Sequence, residues 1–146
     1  MKDTRRCIIC ECETTFRKNE GICSPCRNDI ANFRRKVRGV ILTSLKYGTN
    51  SYIWNHLPYS VSDLKAHLEN QFEPWMNWNN HGIYVSKTWN ELNPKTWTWQ
   101  IDHIIPQVNF IFTSVRDENF RDCWSLVNLR PIASKLNAKK GIKEIV

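Results

Sequence analysis

Lys95-Thr96-Trp97-Thr98-Trp99-Gln100-Ile101-Asp102-His103-Ile104-Ile105-Pro106 alternates in character with a period of two. Trp97, Trp99 and Ile101 fall on one side, and Thr96, Thr98 and Gln100 on the other, which is the pattern of a half-buried strand. Pro106 stops it. Leu126 to Arg130 reads as a second strand, stopped by Pro131. A loop and a short helix around Asp117 to Cys123 lie between the two. Ile132 to Lys140 reads as a helix closed by Gly141. The C-terminal third is therefore expected to run strand, long loop, strand, helix.

This stretch holds the residues with chemistry. The carboxylate of Asp102 and the amide oxygen of Asn137 are hard ligands, suited to Mg²⁺ or Mn²⁺. A neutral histidine beside such an ion, here His103, can take a proton from water. The ion can polarise a phosphate and stabilise the departing alkoxide. Lys139, Lys140 and Lys143 are near in sequence to hold a polyanion, and Asn137 and Lys140 share a helix face at i, i+3. Asparagine is a poor interior helix residue, so a bound ligand would explain Asn137. Neighbours on a strand face opposite ways. Asp102 and His103 serve one site only if the strand bends there or the metal lies beyond its edge. Read singly, Asp102-His103 could be a surface pair and Asn128 a turn cap.

Trp99-Gln100-Ile101-Asp102-His103-Ile104-Ile105-Pro106, then Val127-Asn128-Leu129-Arg130-Pro131, then Lys135-Leu136-Asn137-Ala138-Lys139-Lys140-Gly141 together resemble the His-Asn-His (HNH) nuclease motif. The form is similar to that of small phage proteins and of the nuclease domain of CRISPR effectors. The likeness extends upstream to the helix Asp63 to Phe72 and to Met76-Asn77-Trp78, so it spans about Ser60 to the end. It implies an α+β fold with a ββα-metal core, a hairpin packed on a helix around one catalytic metal. It implies His103 as general base, Asp102 and Asn137 as metal ligands, and Asn128 as the residue that holds the loop after His103. It further implies DNA as substrate, cut to leave a 5′-phosphate and a 3′-hydroxyl. One departure is Gln100, at a position where many phage relatives have histidine.

At the other end, Cys7-x2-Cys10 and Cys23-x2-Cys26 have the spacing of a four-cysteine structural zinc site. Unliganded buried cysteines or a redox pair are the alternatives, and a redox pair needs only one such turn. This module lies far upstream of the nuclease motif. Cys12 and Cys123 are left over and read as small buried hydrophobes. Ile30, Phe33, Val37, Ile41 and Leu45 then form the apolar stripe of a helix, with Arg34, Arg35 and Arg38 off the stripe as candidate phosphate contacts. Ser60 and Asp63 form a capping box ahead of Val61, Leu64, Leu68 and Phe72. His67 reads as a surface or packing residue, and His56 and His81 receive no role.

The 146 residues carry 21 Lys+Arg against 14 Asp+Glu, a net charge of +7. Eleven of the basic residues, against five acids, precede Tyr47, which points to a polyanionic partner. No apolar run approaches the roughly 20 residues that span a bilayer, and no signal peptide is evident. The expected compartment is a reducing cytoplasm, that of a bacterial host. The seven tryptophans read first as core volume, with base stacking or docking of a packaging protein by the Trp75 to Asn93 stretch as alternatives. Three segments are expected: a zinc-binding module over 1–27, a basic helix and linker over 28–59, and an HNH nuclease domain over 60–146. The expected partner is DNA, with a second copy or a phage packaging protein left open. The rival functions are a zinc-containing DNA-binding module that does not cut, and a nuclease active only with a phage packaging partner.

Overall fold

A computed structural model describes residues 4–15 and 21–141. The chain forms two compact units, Met1–Ile41 and Leu42–Val146.

In the first unit, β1 (Thr4–Arg6) pairs antiparallel with β2 (Glu13–Thr15), with Arg6 opposite Glu13. Between them the chain doubles back: Cys7 N–H donates to the Cys12 carbonyl, Glu11 N–H donates to the Cys7 carbonyl, and Glu11 takes a left-handed φ of 60°. Helix α1 (Ser24–Tyr47) starts on the second cysteine pair. Pro25 is tolerated in its first turn, where no intrahelical donor is needed. Of the expected stripe, Ile30, Val37, Ile41 and Leu45 are buried and Phe33 is half-buried. The expected segment boundary at 27/28 falls inside α1, and the units divide after Ile41.

In the second unit, α2 (Val61–Glu69) is opened by the expected capping box. Ser60 Oγ accepts from Asp63 N–H at 3.1 Å, and Asp63 Oδ2 accepts from Ser60 N–H at 2.9 Å. Leu64 and Leu68 are fully buried. β3 (Trp99–His103) pairs antiparallel with β4 (Leu129–Ala133), with Ile101 opposite Pro131, Asp102 opposite Arg130 and His103 opposite Leu129. Between them lies the short α3 (Glu118–Cys123), and α4 (Ser134–Lys140) follows β4 directly.

Three sequence expectations shift. β3 begins at Trp99 because Pro94–Thr96 form a 3₁₀ turn capped by the Asn93 side chain. β4 runs through Pro131 instead of stopping there, since a two-stranded sheet leaves one side of each strand unpaired, where a missing N–H does no harm. Leu126–Asn128 is accordingly a 3₁₀ turn, and α4 starts at Ser134.

The face of the hairpin bearing Trp99, Ile101 and Leu129 is buried, and α2 packs against β4. His67 takes a packing role, with Nε2 2.9 Å from the Leu129 carbonyl. Trp99 is core volume, its ring 4.8 Å from Phe72 and 5.2 Å from Trp78. The buried Tyr59 hydroxyl donates to the Trp124 carbonyl at 2.5 Å. Tyr59→Phe leaves that buried carbonyl short of a donor, which costs about 1–3 kcal/mol. Urea unfolding followed by fluorescence should show that loss, and an unchanged midpoint would mean that water replaces the hydroxyl. Among the described residues, no helix is long and apolar enough to cross a membrane.

Candidate metal centres

The first candidate lies in the second unit, where α4 meets one face of β3. Strand alternation puts Gln100 and Asp102 on the same face. From α4, Asn137 Nδ2 donates to Gln100 Oε1 at 3.0 Å, and Lys140 Nζ donates to Asp102 Oδ1 at 2.7 Å. The i, i+3 relation of Asn137 and Lys140 produces this pairing, because both project from one helix face onto side chains two apart on the strand. Asp102 and Asn137, the two expected hard ligands, therefore both lie where α4 packs on β3, each against a different partner. Gln100 shares the Asp102 face of the strand, as the alternation implies, and meets Asn137 directly.

Asp102 is only 4% exposed and engages two cations. Besides Lys140, Arg130 Nε donates to Oδ2 at 2.9 Å across the sheet. Arg130 was not singled out in the sequence. Its signal was its register opposite Asp102, which required knowing how the strands pair. Of the three lysines assigned to phosphate, Lys139 is exposed, Lys140 is turned inward, and Lys143 lies outside the described residues.

His103 closes β3. The strand stays regular through it, so its ring lies on the opposite face from Asp102, edge-on to Trp124 with centroids 4.5 Å apart. The bend that the sequence allowed comes one residue later. There Asn128 takes over: its carbonyl accepts from Ile104 N–H at 2.8 Å and its Oδ1 accepts from Ile105 N–H at 2.7 Å. Its Nδ2 donates to the carbonyls of Cys123 at 2.8 Å and Ile105 at 3.2 Å. Asn128 is buried, and its side chain staples the segment after His103 to the end of α3.

The second candidate lies in the first unit. The sulfurs of Cys7, Cys10, Cys23 and Cys26 all lie within 4.8 Å of one another. Four thiolates at about 2.3 Å from one zinc stand about 3.8 Å apart at tetrahedral geometry, and Cys10 and Cys23 Sγ are 3.7 Å apart. The donor set thus fits a zinc ion. Cys7 Sγ accepts from the N–H of Cys23 at 3.3 Å and of Ile9 at 3.4 Å. Burial pushes the Cys7 thiol up, but these amide donors outweigh it and bring it down to about 6, which favours the thiolate a metal needs. Cys123 is buried as expected. Cys12 is not: it is exposed, with Sγ 3.1 Å from Cys10 Sγ, because the turn at Glu11 swings it back toward the cluster. That hydrogen bond is the main cause that pushes the Cys12 thiol up to about 12.

On α1, Arg35 is exposed and donates to Asn32 Oδ1 at 3.2 Å, while Arg34 and Arg38 are half-buried. Comparison with protein-family models, with curated proteins and with solved structures found no match for the chain.

Proposed function

We propose that this protein is an HNH-type endonuclease that hydrolyses DNA phosphodiester bonds with one Mg²⁺ or Mn²⁺ ion. The observation that carries the reading is the packing of α4 on the β3–β4 hairpin, which sets Asn137 against Gln100 and Lys140 against Asp102 along one face of β3. A carboxylate and an amide oxygen on a hairpin-plus-helix scaffold are hard ligands, and they would open to water and phosphate once the cations on Asp102 move aside. The ion, when bound, would supply charge stabilisation at the scissile phosphate. Asn128 holds the chain that follows His103 by three hydrogen bonds, two of them to Ile105, and ties it to α3 by a fourth, to the Cys123 carbonyl. It thereby sets where the last residue of β3 stands. His103 would take the proton from the attacking water, and because its ring lies against Trp124 on the face opposite Asp102 it would reach that water only around the end of the strand, with the backbone there moving as well. Lys139 and the arginines of α1, Arg34, Arg35 and Arg38, would contact phosphates, and a zinc held by Cys7, Cys10, Cys23 and Cys26 would stabilise the first unit.

A second reading has its own observation. His103 is 6% exposed, and both oxygens of Asp102 already engage cations. That closed arrangement favours a zinc-containing DNA-binding module that does not cut. Supercoiled plasmid incubated with the protein and Mg²⁺, Mn²⁺ or EDTA separates the two. Nicking that requires the ion and falls by about 10²-fold or more in both His103→Ala and Asn137→Ala is expected. A gel shift with no cutting under any of these conditions would establish the binding module instead.

A further inference from the structure

Lys140 is 3% exposed. Its ammonium sits 2.7 Å from Asp102 Oδ1, 2.7 Å from the His103 carbonyl and 3.5 Å from the Ile104 carbonyl. A carboxylate and main-chain carbonyls converging on one point make the kind of oxygen cage that hard cations occupy. Here the cation is a side chain. The sequence puts it there by two local facts. β3 ends at His103, where the chain turns and brings successive carbonyls toward the α4 side. Lys140 is the last residue of α4, one turn beyond Asn137.

We propose that Lys140 is a tethered stand-in for the divalent ion, which closes the Asp102 site in the metal-free protein and must swing out before a metal can bind. The proposal rests on the reading of Asp102 as a metal ligand. Its physical basis is competition for one oxygen. A carboxylate at 4% exposure is costly without a counter-charge, and Lys140 supplies one at Oδ1 while Arg130 supplies another at Oδ2. An ammonium and a divalent ion cannot share Oδ1, because like charges at that distance repel strongly. Once released, the Lys140 ammonium emerges at the end of α4 beside the exposed Lys139, where a phosphate would hold it. Metal entry and polyanion binding then favour each other, as any two ligands do that select the same state of a switch.

The test measures Mn²⁺ affinity of the zinc-loaded full chain by calorimetry, without DNA. Lys140→Met keeps the apolar stem and removes the charge, and it leaves Asp102 paired with Arg130. It should bind Mn²⁺ about tenfold or more tightly than the parent, whereas Lys140→Arg, which retains a charge, should gain nothing. Unchanged or weaker binding in Lys140→Met overturns the proposal. A second measurement needs no variant. The Lys140 ammonium, shielded from solvent, should give a slowly exchanging ¹⁵N-detected signal that is lost as Mg²⁺ saturates the protein. Persistence of that signal at saturation overturns the proposal equally. Asp102→Asn separates the two levels of inference. If it binds Mn²⁺ as well as the parent does, the ligand role of Asp102 falls, and the proposal with it. If it abolishes binding while Lys140→Met changes nothing, only the proposal falls.

Discussion

Withdrawal of zinc from the cysteine cluster is expected to unfold the hairpin end of the first unit. Its strands are three residues each and almost wholly exposed, and among the described residues its buried hydrophobic side chains are Cys7, Cys23 and three residues of α1, Ile30, Val37 and Ile41. A core of that size cannot offset the entropy of ordering the chain, and small domains of this kind depend on a metal or on disulfides. All six cysteines are free, and a zinc held by Cys7, Cys10, Cys23 and Cys26 would be the staple. Structural zinc in comparable four-ligand sites contributes on the order of 10 kcal/mol or more near neutral pH, the largest single effect expected anywhere in the molecule. The check is direct. Native mass spectrometry should show one zinc per chain, and chelation should convert Cys7 and Cys23 from protected to reactive toward a thiol reagent. Cys23→Ser should reproduce the chelated state in the presence of zinc. A chain that keeps both thiols protected after chelation would refute the assignment.

Asp102→Ala carries the second-largest expected effect, a stability loss of about 3–5 kcal/mol in the second unit. The reason is the charge left behind. Lys140 is 3% exposed, and with Asp102 gone its ammonium retains only main-chain carbonyls. Arg130 suffers less, since its side chain is 22% exposed and can turn to water. Asp102→Asn preserves an acceptor for one of the two cations and turns its amide NH2 toward the other, so it should fall between the parent and the alanine variant. Urea unfolding followed by tryptophan fluorescence reads this unit alone, because all seven tryptophans lie beyond Ile41. A loss below about 1 kcal/mol for Asp102→Ala, the range of an exposed ion pair, would show that water reaches Lys140 and that the cage is open.

Much of this architecture was legible in the chain itself, and for identifiable reasons. The CxxC pairs announced a four-sulfur cluster because metal geometry restricts ligand spacing, and the four sulfurs do gather within 4.8 Å. The α1 stripe and the Ser60–Asp63 box were readable because helix periodicity and capping are local. The two-strand-plus-helix order of the last third is also local, but proline is not a stop signal at a strand edge: Pro131 lies within β4, where an unpaired edge accepts it. Tertiary structure decided the rest, because charge partners are set by register and packing, which no short window of sequence contains. Arg130 meets Asp102 only because β3 and β4 pair in one particular register. Lys140 faces inward only because α4 lies on the Asp102 side of the hairpin, whereas its neighbour Lys139, one residue and about 100° around the helix, remains in water. His103 lies against Trp124 because the strand stays regular for one residue longer than a shared site would need. Residue type and spacing named the groups capable of chemistry; only the folded hairpin and helix determined which of them meet, and which are already occupied by one another.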